Sequence, residues 1–563
     1  MSSTSAQRAE PWRVLAEVAF IVAVFVAAIA VTSPRGDFPL DDDQYYGLPA
    51  LHLAQTGEMQ LSVAAAPNAR AQVLAGSMFA KMFGASFESL RLLTLLLAAA
   101  TLAIVDRILA RAGAAAFARI VGTLALAFHP IFYWSSCTFM TEVPYVFASA
   151  FAFYFYARAL SEDRAAFLGL AAIGVAISWW VRQTGVLNAL PAIAVLAIYR
   201  DRITPRWRTF IALGAIPIAV FGAIAIVKRE WLLASAGEFH SLYQMWSEAT
   251  FRLPEQIAMV RHYVVYTIQH GAIFGMALVV PASLLLKRKP KRWDAGVLSI
   301  SAVVILGTMF ELVAHATPLP FYGKRLCCDL LQGNILMNFG LGPPTLTDVW
   351  TNQFEYPFHL ALTPRVLLTY LSGMAAIIAI WCVLDAWRVQ RREPRRNVVM
   401  LLAIAWTAIS TAGLCASAVW VDRYELDAAW PLVIILALIM PLTFRARTVS
   451  AVALVLTAIF STLAVQEYFN WNRARWASYY DLRRAGVGVK DIDGGAEAYN
   501  AFEVAFVKEW KVKRKMSFGP GARRYMIAFH EMPGFRVVAR RPFTGWFGSH
   551  RGEIVTLERI AGR

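Results

Sequence analysis

Long apolar segments alternate with short polar segments along most of the chain. A helix needs about 20 apolar residues to cross the hydrocarbon layer of a bilayer, and the pattern predicts about thirteen such helices. The pair at 164–181 and 184–200 could instead be one long helix broken at Gly185. The predicted spans are 12–33, 88–110, 114–134, 143–160, 164–181, 184–200, 207–227, 264–286, 295–315, 364–388, 398–420, 426–444 and 447–467.

Basic residues are concentrated in every second loop, as expected for loops that stay in the cytoplasm. These loops carry Arg107, Arg111 and Arg119, then the arginines of 200–208, "KRKPKR" (287–292) and "RVQRREPRR" (388–396). The alternate loops "SSCTFMTE" and "WVDRYE" hold at most one basic residue each. With the N-terminus cytoplasmic and an odd number of spans, we expect three loops (34–87, 228–263 and 316–363) and the tail from residue 470 to lie outside, in the periplasm or the extracellular space.

Composition supports a membrane protein with many spans. Apolar residues make up 58% of the 563 positions and charged residues only 16%, which is too apolar for a soluble chain of this length. The first apolar run is longer than the core of a signal peptide and lacks a convincing cleavage site. We interpret it as the first transmembrane helix of an inner (plasma) membrane protein.

The tail at 470–563 differs from the rest of the chain. Its apolar residues come in short runs, "YMIAF", "FRVVARRPF" and "EIVTLERI", which predict strands. It holds 18 Lys and Arg against 9 Asp and Glu, a net +9 out of +17 for the whole chain. We predict a small soluble α/β domain that faces membrane lipids or an anionic substrate, or whose charge only serves solubility. Residues 1–469 form the predicted transmembrane domain.

Ionisable residues gather at the predicted outer ends of the spans. They are Asp41, Asp42 and Asp43 after the first span, Glu142 before the fourth, Arg182 after the fifth, and "VDRYELDAAWP" (421–431) before the twelfth. His129, Glu311, Lys324 and Arg325 lie near the same level. A transporter would place such residues near the middle of the membrane. The pattern therefore favours one shallow site on the outer face.

Four segments resemble those of the C-type membrane glycosyltransferases, which include protein O-mannosyltransferases and the lipid A aminoarabinose transferase. Asp42-Asp43-Gln44-Tyr45-Tyr46 followed by "ALHLAQTG" resembles the acidic motif of the first loop, and "TEVPYVFASAFAFYFYAR" resembles the second acidic position. "DRYELDAAWPLVIIL" is similar to the late Arg-Tyr…Pro segment, and "DIDGGAEAYN" (491–500) to an Asp-Gly-Gly element of the outer tail. Their order and shared membrane side carry the resemblance.

The resemblance implies an enzyme that moves a sugar from a polyprenyl-phosphate donor to a hydroxyl of a glycolipid, polysaccharide or protein. A carboxylate can accept the proton of the attacking hydroxyl, and arginines can neutralise the leaving phosphate. A carboxylate on one face and a cation on the other imply direct displacement with inversion. No nucleic acid is expected among the partners.

Each candidate residue has an expected role. Asp42 is the expected base, with Asp43 and Asp41 as substitutes, and Glu142 is a second carboxylate that orients the acceptor or a divalent ion. A helix-capping cluster or a favourable charge at a helix N-terminus is the plainer interpretation of these carboxylates. The expected substrate-binding residues are Asp41, Tyr45, Tyr46, Arg182, Lys324, Arg325, Arg423 and Tyr424.

The histidines do not predict a metal site. His129, His262, His270, His315 and His359 lack the spacing of metal ligands, so we assign no metal, although a divalent cation near Asp42 and Glu142 is possible. The alternatives are a transporter or lipid flippase, a receptor-like membrane protein, and a transferase similar to O-antigen ligases.

Overall fold

The structure is a computed structural model of the chain. It describes residues 11–62, 69–227, 253–283, 292–314, 331–332, 335–337, 340–351, 354, 361–390, 392, 394, 397–415, 420–504, 523–545 and 551–560. Lys324, Arg325, His315 and His359 lie outside these described residues.

Helices occupy most of the described chain, as the apolar pattern predicts. The longer helices are Pro11–Thr32, Gln44–Thr56, Arg70–Phe83, Phe87–Arg111, Ala116–Ala127, Pro130–Ser136, Glu142–Glu162, Ala166–Val181, Leu190–Tyr199, Trp207–Val227, Leu253–Phe274, Met276–Ser283, Arg292–Ala314, Leu362–Gln390, Val398–Cys415, Leu426–Ile439 and Phe444–Arg484. Short helical turns cover Asp41–Asp43, Gln183–Ala189, Arg200–Arg202, Thr347–Trp350, Asp422–Glu425, Val489–Asp491, Ala496–Tyr499 and Asn500–Val504.

Where the structure describes the chain, every predicted span overlaps a helix or a pair of helices. Among the described residues, seven helices are long and apolar enough to cross a membrane singly, and an eighth span is possible if Ala116–Ala127 and Pro130–Ser136, bent by 65°, act together. The remaining predicted spans are shorter or broken helices. The protein is thus a helical membrane protein with several spans, and the number thirteen stays a prediction.

The break at Gly185 settles one alternative of the sequence analysis. The Ala166–Val181 helix ends, a tight 3-10 turn follows at Gln183–Ala189, and the next helix begins at Leu190. A Cβ on Gly185 would lie 2.2 Å from the backbone nitrogen of Trp179. Because the chain folds back onto the end of its own helix here, the segment is two helices and not one.

The tail contains a four-stranded mixed sheet, which confirms the predicted strands. The strand order is Ile492–Asp493, Tyr525–Ala528, Arg551–Arg559, Phe535–Thr544, and only the first pair is parallel. Leu557 lies opposite both Met526 and Val537 in the register. One face buries Met526, Ala528, Val555 and Leu557 together.

The sheet packs against the C-terminal half of the Phe444–Arg484 helix. The side-chain amide of Asn470 donates to the carbonyl of Thr544 at 2.8 Å, and the rings of Trp471 and Phe529 are 5.1 Å apart. The helix continues for fourteen residues beyond Asn470, to Arg484. The predicted domain boundary at 470 therefore falls inside a helix that the spans and the tail share.

Candidate active site

The acidic turn Asp41–Asp43 directs its three carboxylates to different places. It is one turn of 3-10 helix that follows Leu40 and leads into the Gln44–Thr56 helix. Asp41 has a φ of 50°, in the left-handed region that non-glycine residues rarely adopt. The side chains of Asp41 and Asp43 are 6% and 0% exposed, whereas that of Asp42 is 35% exposed. Only Asp42 presents its carboxylate to the surface.

Arg423 joins the acidic turn to the late Arg-Tyr segment. Its Nη1 lies 3.0 Å from Oδ2 of Asp41, and its Nη2 lies 2.7 Å from Oδ2 of Asp42. Its Nε is 3.5 Å from Oε1 of Glu142. Although burial opposes the charged form, the surrounding carboxylates raise the pKa of Arg423 well above its ordinary value. Arg423 is therefore a permanent cation shared among three carboxylates.

Glu142 lies between two arginines at the start of its helix. Arg182 Nη2 contacts its carboxylate, and Arg182 Nε donates to the hydroxyl of Thr141 at 2.8 Å. Arg182 Nη1 also lies 3.5 Å from Oδ1 of Asp427. Glu142 thus forms a bridge from Arg182 to Arg423, and the predicted residues from four separate segments meet in one cluster.

Tyr424 lies between the two arginines. The guanidinium carbon of Arg182 is 5.0 Å from the centre of its ring, and that of Arg423 is 5.7 Å away. Both distances are within the range of cation–π attraction. The ring keeps the two cations apart while both remain on the carboxylate cluster.

Asp43 faces the protein interior. Its Oδ1 accepts the backbone N–H of Leu40 at 2.7 Å. Burial raises the pKa of Asp43 from 3.8 to about 7, and the positive charge of Arg91 acts in the opposite direction. Arg91 itself donates to the carbonyls of Gly36 and Phe38. Asp43 and Arg91 therefore bind the backbone of residues 36–40, which leads into the turn, on its buried side.

The turn Asp422–Glu425 is anchored on both sides of Arg423. The carboxylate of Asp422 accepts the backbone N–H groups of Ile335 and Leu336 at 2.9 and 2.7 Å. Glu425 Oε2 lies 2.6 Å from Nδ1 of His270. With its neighbours fixed, Arg423 has little freedom to leave the cluster.

The remaining predicted residues divide into buried and undescribed ones. Tyr45 and Tyr46 are 8% and 7% exposed on the helix behind the acidic turn, and burial raises the pKa of the Tyr46 phenol. Lys324 and Arg325 cannot be placed, because they lie outside the described residues. Glu311 lies with Arg261 and His262 rather than with the cluster.

Several members of the site were not predicted. Thr141, Asp427 and Glu497 of the tail contact it, and Arg91 binds the backbone just before the acidic turn. Asp427 and Glu497 belong to the quoted segments "DRYELDAAWP" and "DIDGGAEAYN", so a carboxylate inside a matching segment was the available signal. Arg91 had no signal beyond being a cation at the start of a span.

A cation site is not formed by the carboxylates as they stand. Within the part of the chain that the structure describes, no group of three or more His, Cys, Asp or Glu side chains could hold a metal ion. The guanidinium of Arg423 occupies the position between Asp42 and Glu142 where a divalent ion was considered.

Comparison with known families matches one part of the chain. Residues 74–226 match the family model described as dolichyl-phosphate-mannose-protein mannosyltransferase. The resemblance to C-type membrane glycosyltransferases is confirmed. The matched segment contains Glu142 and Arg182, while the acidic turn and Arg423 lie outside it.

Two solved structures are similar along almost the full length. The crystal structure of ArnT from Cupriavidus metallidurans in the apo state is 12% identical with a TM-score of 0.38. The structure of ArnT from the same organism bound to undecaprenyl phosphate is 13% identical with a TM-score of 0.39. Each covers 97% of this chain and 98% of its own. No curated protein sequence matches the chain.

Proposed function

We propose that the protein transfers a sugar from a polyprenyl-phosphate donor to an acceptor hydroxyl of a glycolipid, polysaccharide or protein. The observation that carries the proposal is the cluster itself. Its one exposed carboxylate, Asp42, is bound to the guanidinium of Arg423 where several helices end. The family model supports it, because its description names a dolichyl-phosphate sugar, which is a polyprenyl-phosphate sugar.

Asp42 is the proposed general base. Of the three carboxylates in the acidic turn, it alone combines surface exposure with a fixed position. Arg423 binds its Oδ2, which leaves Oδ1 to accept the proton of the attacking hydroxyl. A positioned carboxylate of this kind contributes about 10²- to 10⁴-fold to the rate. Asp43, which was a substitute for the base, is buried and caps the turn instead.

Arg423 and Arg182 are the proposed ligands of the donor phosphate. Both guanidinium groups are bound to carboxylates in this structure. A phosphate that reaches Arg423 would compete with Asp42 for the Nη2 hydrogens, since both are anionic acceptors of the same donor. We infer that donor binding loosens Asp42 from Arg423, which would make Asp42 a stronger base when the acceptor is attacked.

Displacement proceeds with inversion in this proposal. The phosphate is already a good leaving group, so cations suffice to stabilise its charge and no second acid is required. One base and a cationic group on opposite sides of the sugar correspond to single displacement. Glu142, which was expected to orient the acceptor, is 0% exposed, and its proposed role is instead to position Arg182 and Arg423 from the centre of the cluster.

A lipid-linked donor follows from the proposed orientation. The basic loops put the N-terminus in the cytoplasm and the acidic turn outside, and nucleotide sugars are kept in the cytoplasm. The tail contacts the acidic turn directly, because the backbone N–H of Asp41 donates to Glu497 at 3.0 Å. We therefore place the cluster and the tail together on the periplasmic or extracellular side.

The test uses purified protein with either a polyprenyl-phosphate sugar or the corresponding nucleotide sugar, and a candidate acceptor. We expect transfer only from the lipid-linked donor, and we expect Asp42→Asn to reduce turnover by at least about 10²-fold. Asp481→Asn is the matched control, because Asp481 is an exposed carboxylate of the tail that pairs with Arg541.

Two results would contradict the proposal. Transfer from the nucleotide sugar alone would overturn the donor assignment. Near-normal turnover of Asp42→Asn would overturn the base assignment, and the same result for Asp42→Asn and Asp481→Asn would remove the acidic turn from the mechanism altogether.

A further inference from the structure

A buried ion pair links the tail to the Phe444–Arg484 helix. Arg475 Nη2 lies 2.6 Å from Oε2 of Glu497, and both side chains are 1% exposed. Arg475 also donates from Nε and Nη2 to the carbonyl of Gly494, at 2.8 and 2.6 Å, and from Nη1 to the hydroxyl of Thr345 at 3.0 Å. The pair is therefore hydrogen-bonded in several directions, which is what a buried charge requires.

The Asp-Gly-Gly turn, residues 493–495, is shaped around this arginine. Asp493 Oδ1 accepts the N–H of Gly495 at 3.0 Å and the hydroxyl of Thr347 at 2.8 Å. Gly495 has a φ of 88°, and a Cβ there would lie 2.6 Å from the carbonyl oxygen of Thr345 and 2.8 Å from Arg475 Nη2. Only glycine fits, and the turn delivers Glu497 to a fixed point.

The second carboxylate oxygen of Glu497 binds the acidic turn. Its Oε1 accepts the backbone N–H of Asp41 at 3.0 Å. Asp41 holds a φ of 50°, a conformation that costs of order 1–3 kcal/mol and persists only when its surroundings enforce it. The carboxylate of the same residue accepts from Arg423 Nη1 at 3.0 Å. Backbone and side chain of Asp41 are thus held from opposite sides.

We propose that Glu497 is a positioning residue for sugar transfer: by accepting the N–H of Asp41, it fixes the acidic turn so that Asp42 faces the substrate. The inference rests on the proposed function, since Asp42 is its base. Glu497 itself is 0% exposed and does not reach the substrate. It acts through one backbone hydrogen bond, 456 positions away in the sequence.

Glu497→Gln separates positioning from packing. The amide has the shape of the carboxylate but only one oxygen, while two donors, Arg475 Nη2 and the Asp41 N–H, compete for it. The cationic donor makes the stronger bond, so the Asp41 N–H loses its acceptor while Arg475 stays bound and no cavity is created.

Glu558→Gln is the matched control. Glu558 is a carboxylate of the same tail, 10% exposed in its side chain, and it binds Arg524, Arg536 and the hydroxyl of Tyr525. The same chemical change there weakens an ion pair of the sheet without touching the acidic turn. Thermal unfolding of both variants separates a loss of position from a loss of stability, which should be larger for Glu497→Gln because Arg475 is buried whereas Arg524 and Arg536 are exposed.

The first measurement is steady-state transfer from the polyprenyl-phosphate sugar by the full-length proteins. We expect Glu497→Gln to lower kcat by about 10- to 10²-fold, the cost of misplacing a reacting group by up to about 1 Å. We expect the KM for the donor to stay within about twofold, because the arginines are unchanged. Glu558→Gln should keep both constants within about twofold of wild type.

The second measurement, hydrogen–deuterium exchange of the peptide around residues 37–46, does not depend on activity. Glu497→Gln should speed exchange there relative to both wild type and Glu558→Gln. Unchanged exchange, or a kcat equal to that of Glu558→Gln, would overturn the inference while leaving the proposed function intact. If wild type itself transfers from neither donor, the proposed function fails, and the positioning role fails with it whatever the exchange shows.

Discussion

The guanidinium of Arg423 offers the sharpest test of how the cluster works. Its Nη1 and Nη2 each bind a different carboxylate, at 3.0 Å to Asp41 and 2.7 Å to Asp42. Lysine has a single nitrogen on a flexible stem, so Arg423→Lys keeps the positive charge but can keep only one of these two bonds in place.

The size of the effect follows from the bond that is lost. A hydrogen bond between charged groups contributes about 1.5–3 kcal/mol. The guanidinium nitrogens of Arg423 are also the proposed ligands of the leaving phosphate, so losing one such bond to the charge that develops in the transition state slows transfer by about 10- to 150-fold. Arg423→Ala removes the cation that binds both Asp41 and Asp42. It should therefore also destabilise the fold, by about 3–5 kcal/mol.

The assay compares kcat/KM for the lipid-linked donor with thermal unfolding of the same preparations. Arg541→Lys is the control, because Arg541 pairs with Asp481 on the surface, where the two side chains are 41% and 47% exposed. A surface pair of this kind contributes only about 0–1 kcal/mol. If Arg423→Lys transfers sugar as fast as Arg541→Lys, the two-pronged contact has no part in catalysis and our account of Arg423 is wrong.

Two further predictions concern the turns that surround the cluster. Gly495→Ala should lower stability by about 1–3 kcal/mol, because alanine must adopt a left-handed φ against Thr345 and Arg475. Thermal unfolding measures the loss. Gly534→Ala is the control, because its φ is also left-handed but its Cβ meets open space, so the difference between the two variants reports the close contact alone. Burial raises the pKa of Asp43 from 3.8 to about 7. Between these two pH values the folded protein keeps a proton that the unfolded chain releases, so the stability of the fold should fall as the pH rises from about 4 to about 7. Asp43→Asn should flatten this dependence, and an equal fall in the variant between pH 4 and 8 would rule out Asp43 as its origin.

The helical part of the fold was readable from the sequence because lipid imposes a simple rule. Each span must be a run of apolar residues long enough to satisfy its own backbone, and every predicted run overlaps a helix in the part of the chain that the structure describes. The pattern also marked a break at Gly185, but it left open whether the segment is one broken helix or two. The tight turn at Gly185 depends on a backbone contact with Trp179, which a hydropathy pattern does not encode.

The sequence predicted which residues would form the site, but not which of them would bind each other. The position of Asp41, Glu142, Arg182 and Arg423 at helix ends predicted that they would meet, and they do. Which carboxylate each arginine binds depends on side-chain directions within one turn. Three consecutive aspartates in a 3-10 turn point three ways, so their sequence could not show that Asp43 is buried and Asp42 exposed.

The role of the tail lay furthest from the sequence pattern. "DIDGGAEAYN" was noticed for its glycines, yet Glu497 within it carries the contact to Asp41. A hydrogen bond between residues 456 positions apart leaves no periodicity in either segment. Long-range partners of buried polar groups can be found only once the fold is known.

The unbroken Phe444–Arg484 helix has a consequence for how the chain can change in length. Its 41 residues extend about 60 Å, twice the thickness of the hydrocarbon layer. Arg475 lies eight residues beyond the predicted span, which is about 12 Å along the axis. One residue inserted before Arg475 would turn it by about 100° and lift it by about 1.5 Å, away from Glu497. Loops tolerate such insertions at little cost, so an insertion or a deletion before Arg475 in this helix should cost more than one in a loop.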